Sequence, residues 1–530
     1  MPRYLVGFDL RRRPHLEADV LVVGGGVAGL SAALAAAEAG QEVLLLVKGS
    51  LRESNTAYAQ GGVAAVLKEG DRDATDTVER HVTDTCQAGA GLCDEAVVRD
   101  ILTEASGAIE FILSRGCRFD QEGGHAALTR EGGHSARRIL HAHGDSTGRE
   151  VIRSLGEAAS RHPLITVIEE AFAIDLITVE GRVVGVLYFR RDELIVALAG
   201  STVLATGGCG WVWRETTNPS CATGDGLAMA YRAGAEVMDL EFMQFHPTTL
   251  YIAGAARQLI SEAMRGEGAV LKNNAGERFM PNYHPDADLA PRDVVSRSIL
   301  AELQRSGAAH VWLDATHLGA DFVRNRFPSI ASACASFGID ITREWIPVHP
   351  SAHYQCGGVR SGSDGRSTLP GLWVAGEVAC TGLHGANRLA SNSVLEGLVM
   401  GLRTGRAASA EGGPLGRVRM VGPKSEAASP SLDIADLTHS LRALMWRRVG
   451  IERTADDLAT ARRSIVFWLT HQAKGEQRGI AGWTLQNLLT VGMLVAQAAE
   501  VRTASVGTHC RLDSVGAVDA VHHALVRQGD

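Results

Sequence analysis

Hydrophobic positions change their period twice before residue 50. Residues 18–23, "ADVLVV", form a short run rich in β-branched side chains and read as a buried strand; "LSAALAAAEAG" (30–40) reads as a helix closed by Gly40, and "QEVLLLV" (41–47) returns to a strand. Between the first strand and the helix stands "GGGVAG" (Gly24, Gly25, Gly26, Val27, Ala28, Gly29), the G-x-G-x-x-G spacing in the one context where it carries weight. Gly24 allows the tight turn, Gly26 lets backbone approach a pyrophosphate, and Gly29 lets the helix pack on the strand. The helix N-terminus then offers its amide donors to the phosphates. The pattern predicts a βαβ unit that binds a dinucleotide.

A nicotinamide dinucleotide site would place an acidic residue at the end of the second strand, to hold a ribose hydroxyl. Val47 and Lys48 stand there instead, so a flavin dinucleotide is the better expectation. Farther along, "GSTVLATGG" (200–208) is a strand running into a glycine turn, "TGDGLAMAYRAG" (223–234) is a loop with Asp225 leading into a helix, and "LWVAG" (372–376) is a strand ending at Glu377. Strand-end motifs this far apart imply one dinucleotide domain built from residues 16–243 and 354–406, with 244–353 inserted. Residues 407–430 are rich in Gly, Ala, Pro and Ser without a sustained period and read as a linker. Beyond it, helical spacing relates Ile434, Leu437, Leu441, Leu444 and Met445, and again Leu458, Ala461, Ile465, Trp468 and Leu469, so 431–530 reads as a small helical bundle acting as a structural cap.

Composition removes several function classes. A formal charge of −8 and a pI near 6.2 give no long-range attraction for nucleic acid. Nine scattered cysteines include no C-x-x-C pair for zinc or an iron–sulfur cluster, so no metal is expected, and the thiols read as reduced and cytoplasmic. The weakly charged stretch 19–40 is no membrane span, because three consecutive glycines break it and alanine replaces the leucine that lipid favours. A soluble α/β enzyme with no membrane partner is the expectation.

The stretch "GLHGANRLASNS" (382–393) sets one cation, Arg388, among glycines, small residues and hydroxyls. Its fork of donors matches a carboxylate, and a small anion would explain its setting. Together with "SNTAYAQGGVAAV", "LTREGGHSARRILHAHGDSTGREV", "EFMQFHPTTLY", "LISEAMRGEGAVLKN", "LAPRDVVSRSI" and "PSAHYQCGGV", it resembles the flavoprotein family of succinate dehydrogenase and fumarate reductase, and within that family the branch that oxidises L-aspartate. The resemblance runs from about Asp19 into the helical tail.

The fold this implies is α/β: a Rossmann-like FAD-binding domain with an inserted α+β capping domain and a C-terminal helical bundle. The activity implied is oxidation of L-aspartate to iminoaspartate, with oxygen or fumarate as the electron acceptor and quinolinate synthase as the functional partner that uses the product on the route to NAD. By resemblance Arg292 is the catalytic arginine, and Glu262 with Arg265 forms a proton relay that on spacing alone is an i, i+3 ion pair. His246, Ser261, His353, Arg388 and Ser391 bind substrate, with serine at 261 in place of the family's threonine. FAD is expected at residues 24–29, at Lys48, along the loop Asn55, Thr56, Ala57, Tyr58, Ala59, Gln60, Gly61 and Gly62, and at Asp225, Glu377, Ser393 and Val394. Asn55 stands where membrane-linked relatives carry the histidine that bonds FAD covalently, so noncovalent FAD is expected. Glu131 adds a carboxylate that succinate-oxidising relatives lack and would pair with the ammonium of an amino acid. The alternatives are a soluble fumarate reductase, against which Glu131 argues, and an electron-transfer subunit for an iron–sulfur partner, against which Asn55 argues.

Overall fold

A computed structural model describes every residue except 1, 11–12, 414, 416–421, 423–432, 473–478, 515–522 and 528–530. The βαβ unit forms as the apolar pattern predicts: β1 (His15–Val23), α1 (Val27–Glu38) and β2 (Val43–Leu46). Parallel pairing joins β1 to β2 on one side and to β6 (Glu193–Leu204) on the other, while β3 (Ile165–Ile168) lies parallel to β2. The antiparallel strands β4 (Phe172–Val179) and β5 (Arg182–Arg190) extend the sheet, giving the order β3-β2-β1-β6-β5-β4. From the second half of the chain, β11 (Leu372–Val374) joins β6 in parallel, so the sheet is assembled from both halves.

Helix α5 (Asn392–Glu411) brings the second half onto the first. Its Gly397, Gly401 and Gly405 recur every four residues and so form one stripe. A Cβ at these positions would lie 2.6 Å from Val27 Cγ1, 2.5 Å from the Ala28 carbonyl oxygen and 2.3 Å from that of Ala32. The alanines of α1 and the glycines of α5 therefore permit backbone-to-backbone contact between two parallel helices. Their first turns lie side by side, and both direct amide donors and positive dipole ends toward the same cleft.

The inserted segment pairs β7 (Met243–Leu250) with β10 (Ile346–Gln355), then β9 (Val311–Asp314) and β8 (Val270–Lys272), all antiparallel. With the short helix α3 (Glu262–Gly266) and α4 (Arg292–Ser306) it encloses its own core, including Ile260, Met264, Phe279, Ile299 and Phe327. The expected boundaries, 244 and 353, fall inside β7 and β10. Met243, Phe245 and Ala352 pack in the core of the large sheet, and Leu250 and Val348 in that of the inserted unit. The two strands are thus the stem between them.

The C-terminal helices α6 (Ile434–Arg448), α7 (Ala455–Gln472) and α8 (Ile480–Val501) form the expected helical region. Leu441, Met445, Leu458, Ala461 and Ile465 are buried where the spacing puts them, but in the same core as Leu21, Leu204 and Val374 of the sheet. Helix α8 is buried around most of its circumference and so has no amphipathic period to read. The last described segment is not helical: Leu525–Val526 pairs with Val237–Met238. Of the expected linker, 407–411 continues α5, and 414, 416–421 and 423–430 lie outside the described residues. At the other end Val6, Phe8 and Leu10 pack on Phe172, Ile174 and Trp483. No described helix is long and apolar enough to cross a membrane.

Substituting Gly401→Ala should force the α1–α5 contact apart and cost about 1–3 kcal/mol by urea denaturation. Gly107→Ala, on an exposed helical position with nothing within 4 Å of the added carbon, should instead stabilise by about 0.5–1 kcal/mol.

Candidate active site

A cleft runs from the glycine turn after β1 to the inserted unit. With the glycine turn at one end and Arg292 and Arg388 at the other, its lining suits a dinucleotide with a small acid beside it. At the turn, Gly24 has φ +119°, and a Cβ there would sit 2.1 Å from the Ala205 carbonyl oxygen. Gly26 has only Thr56 Oγ1 near it, at 3.5 Å, leaving its surface open to a ligand. Gly29 lies under the turn, where a Cβ would meet the Gly24 carbonyl oxygen at 1.9 Å; its effect is packing, and it does not line the cleft.

The loop after β2 folds over this turn. Ser54 Oγ accepts from the Ala57 amide (3.1 Å), Thr56 Oγ1 accepts from the Val27 amide (3.3 Å), and Asn55, Thr56, Tyr58, Ala59, Gln60, Gly61 and Gly62 line the cleft. Ala57, expected with them, packs against the core under α1. Asn55 Nδ2 donates to Glu377 Oε2 (3.0 Å), whose other oxygen accepts from the Gln355 amide (3.1 Å); burial holds the Glu377 carboxyl above its usual range. Lys48 Nζ donates to Asp225 Oδ2 (2.8 Å) and Thr223 Oγ1 (2.7 Å) at the cleft rim, and Ser393 and Val394 line it from the first turn of α5. Asn55 Oδ1, Gln60 Oε1 and Thr206 Oγ1 are buried polar atoms with no protein partner. Such orphans mark where a ligand binds. Two helix N-termini, an open glycine turn and three orphaned groups fit FAD.

The other end of the cleft is cationic. Arg292 opens α4, donates from Nε to Glu262 Oε2 (2.5 Å) and from Nη1 to Gln244 Oε1 (3.0 Å). Arg388 Nη2 donates to the same Gln244 oxygen (3.1 Å) and Nη1 to Ser393 Oγ (3.2 Å), while its Nε is buried without a partner. Burial and the neighbouring Arg292 lower the Arg388 guanidinium to about 10, still charged at neutral pH. His246 and His353 face each other with ring centroids 5.0 Å apart, and burial, with Arg292 next, pushes both well below the ordinary imidazole value. They are neutral donors or acceptors. His353 Nδ1 is 2.8 Å from Thr217 Oγ1, and His246 Nε2 has no partner.

Glu131 and Ser391 close the site. Ser391 sits at φ +62°, an uncommon conformation for a residue with a side chain, and its Oγ donates to Glu131 Oε2 (2.7 Å). Glu131 Oε1 has no partner; burial, and then the charge of Glu262, raise its carboxyl. Glu262 is equally buried, but Arg292 and Arg265 outweigh that burial and hold it below its usual range. Arg265 lies behind the cleft wall, 3.6 Å from Glu262, with its Nε unpartnered and its guanidinium lowered by burial. Ser261 caps α3, accepting from the Ala263 amide (3.3 Å), and lines the cleft. Gln244, which ties the two arginines together, was missed in the sequence. A buried polar residue two positions before His246 on one strand was the available signal.

Fold and cleft define an FAD-dependent oxidoreductase, with a cationic end to the cleft beside the glycine turn. Residues 19–394 match the family model described as an FAD binding domain, and 438–529 the one described as fumarate reductase flavoprotein C-term. The L-aspartate oxidase of Streptomyces coelicolor is 45% identical over 97% of this chain and 92% of its own length. The chloroplastic enzyme of Arabidopsis thaliana is 42% identical, over 93% and 81%. Among solved structures, a chain of E. coli quinol fumarate reductase superposes with a TM-score of 0.88 at 29% identity, covering 97% of this chain and 95% of its own. Sdh1 of Mycobacterium smegmatis gives 0.80 at 31%, over 97% and 94%. The chain belongs to the L-aspartate oxidase family, a branch of the flavoproteins of succinate dehydrogenase and fumarate reductase.

Gln244→Leu removes the oxygen shared by both guanidinium groups. Hydrogen bonds to charged groups contribute about 1.5–3 kcal/mol, so succinate affinity, read from perturbation of the flavin spectrum, should fall roughly 10- to 100-fold while flavin content is unchanged.

Proposed function

We propose that the chain oxidises L-aspartate to iminoaspartate, with oxygen or fumarate taking the electrons afterwards. FAD, when bound, supplies the acceptor for the hydride that leaves the α-carbon. Its attachment is noncovalent, since Asn55 is an amide without a nucleophilic ring nitrogen. The product then passes to quinolinate synthase, a functional coupling on the route to NAD, and the site of action is the cytoplasm, in keeping with nine free cysteines.

The residues divide the substrate by charge. Arg388, with its unpartnered Nε, and His353 hold one carboxylate, while Arg292, His246 and Ser261 hold the other. Two cations alone would suit any dicarboxylate. The observation that carries the choice of an amino acid is Glu131: a carboxylate with one free oxygen, fixed by Ser391, whereas the neighbouring carboxylate, Glu262, is already paired with Arg292 and Arg265. Its partner is the α-ammonium. Arg292 exchanges a proton with the substrate, and Glu262, in contact with both Arg292 and Arg265, relays that proton between them.

Anaerobic titration of the yellow protein tests the reading. L-aspartate should bleach the flavin and succinate should not; bleaching by succinate would move the chain to the fumarate reductase reading. Because burial raises the Glu131 carboxyl, aspartate affinity should fall as pH drops through that raised value, as the carboxylate becomes neutral and loses the ammonium. Succinate affinity should not fall with it. In Glu131→Gln the two acids should bind with the same pH profile.

A further inference from the structure

Helix α8 reads as structure alone, yet one of its residues reaches the dinucleotide site. Asp225 opens α2 (Asp225–Ala233) at the cleft rim. Its Oδ2 accepts from Lys48 Nζ (2.8 Å) and Thr223 Oγ1 (2.8 Å), and its Oδ1 from Asn487 Nδ2 (2.7 Å). Asn487 Oδ1 accepts from Arg232 Nη1 (2.8 Å), and Arg232 Nε donates to Asp175 Oδ1 (2.9 Å). Asp175 Oδ2 then accepts from the backbone amide of Leu5 (2.7 Å). Asn487, Arg232 and Asp175 are all buried.

Arginine only donates and a carboxylate only accepts, so the amide of Asn487 has one orientation that satisfies both neighbours. Asp225 in turn has both oxygens pinned before any ligand arrives, which is preorganisation of a cofactor contact. At the far end, loss of the Leu5 amide would leave a buried carboxylate oxygen unpaired beside Arg232, a costly state. Leu5 is held there because Val6, Phe8 and Leu10 are anchored on Phe172, Ile174 and Trp483. The chain of bonds is thus continuous from the N-terminal segment to the cleft.

We propose that Asn487 is a positioning residue for the dinucleotide, and that through Arg232 and Asp175 it couples FAD binding to docking of residues 3–10. The proposal rests on FAD occupying the cleft. Coupling between two sites is reciprocal. If the docked segment tightens FAD binding, FAD must protect the segment by the same factor.

The test is amide hydrogen exchange of the N-terminal peptide, with and without saturating FAD, in the wild-type protein and in Asn487→Leu. The Val43 amide, bonded to the Leu164 carbonyl toward the opposite edge of the sheet, reports general stabilisation. In the wild type, FAD should slow exchange at Leu5 beyond its effect at Val43, by about 5- to 150-fold. In Asn487→Leu that excess should vanish, and the Kd for FAD, from quenching of flavin fluorescence, should rise by the same factor; the FAD-free protein should melt at a lower temperature, because Arg232 is left with an unpaired buried donor. Equal slowing at Leu5 and Val43 in the wild type would overturn the proposal whether or not the variant folds. An unchanged Kd in a folded Asn487→Leu would also overturn it.

Discussion

The contact on which the site depends is the one between α1 and α5. Backbone atoms of two helices far apart in the chain meet because three glycines of α5 face Val27, Ala28, Ser31 and Ala32 of α1. Larger residues would separate the axes and part the two N-termini. One of those termini carries the glycine turn and the other carries Ser393 and Val394, so the seam sets the distance across the cofactor end of the cleft. It also fixes Ser391 and Arg388, which lie just before α5, relative to the first strand.

The substrate end poses a different problem, that of holding several buried charges. Arg292 is balanced by Glu262, but Arg388 receives only neutral acceptors, Gln244 and Ser393, together with the ring of Tyr354 under its guanidinium at 4.6 Å. A buried cation without a counterion is expensive. Its cost is offset when an anion enters. The shared oxygen of Gln244 keeps the two guanidinium groups near one another although they repel, and the neutral imidazoles avoid adding to that repulsion.

The tail and the sheet share one core, and this explains why polar contacts can pass between them. A separate bundle would have presented a solvated face. Instead α8 lies against α2, with Val491 next to Gly224, so that the buried Asn487 meets the partly buried Asp225. Less solvent competes for the bond in that setting.

Much of this architecture was legible in the chain itself. The βαβ turn, the helical positions from Ile434 to Leu469 and the solitary Arg388 are read from spacing and residue chemistry, which are local. Gly24 needs a left-handed turn and Arg388 needs an anion whatever surrounds them. Tertiary structure alone decided that Gln244 would join Arg292 to Arg388, that Gly29 would pack while Gly26 faced the ligand, and that the terminal helices would complete the sheet's core. It also decided that Leu5, Asp175, Arg232, Asn487 and Asp225 would form one line of hydrogen bonds. Those partners lie far apart in sequence and leave no period to read. Each is chosen by which surfaces the packed helices and strands bring together, a property of the folded chain and not of any stretch of it.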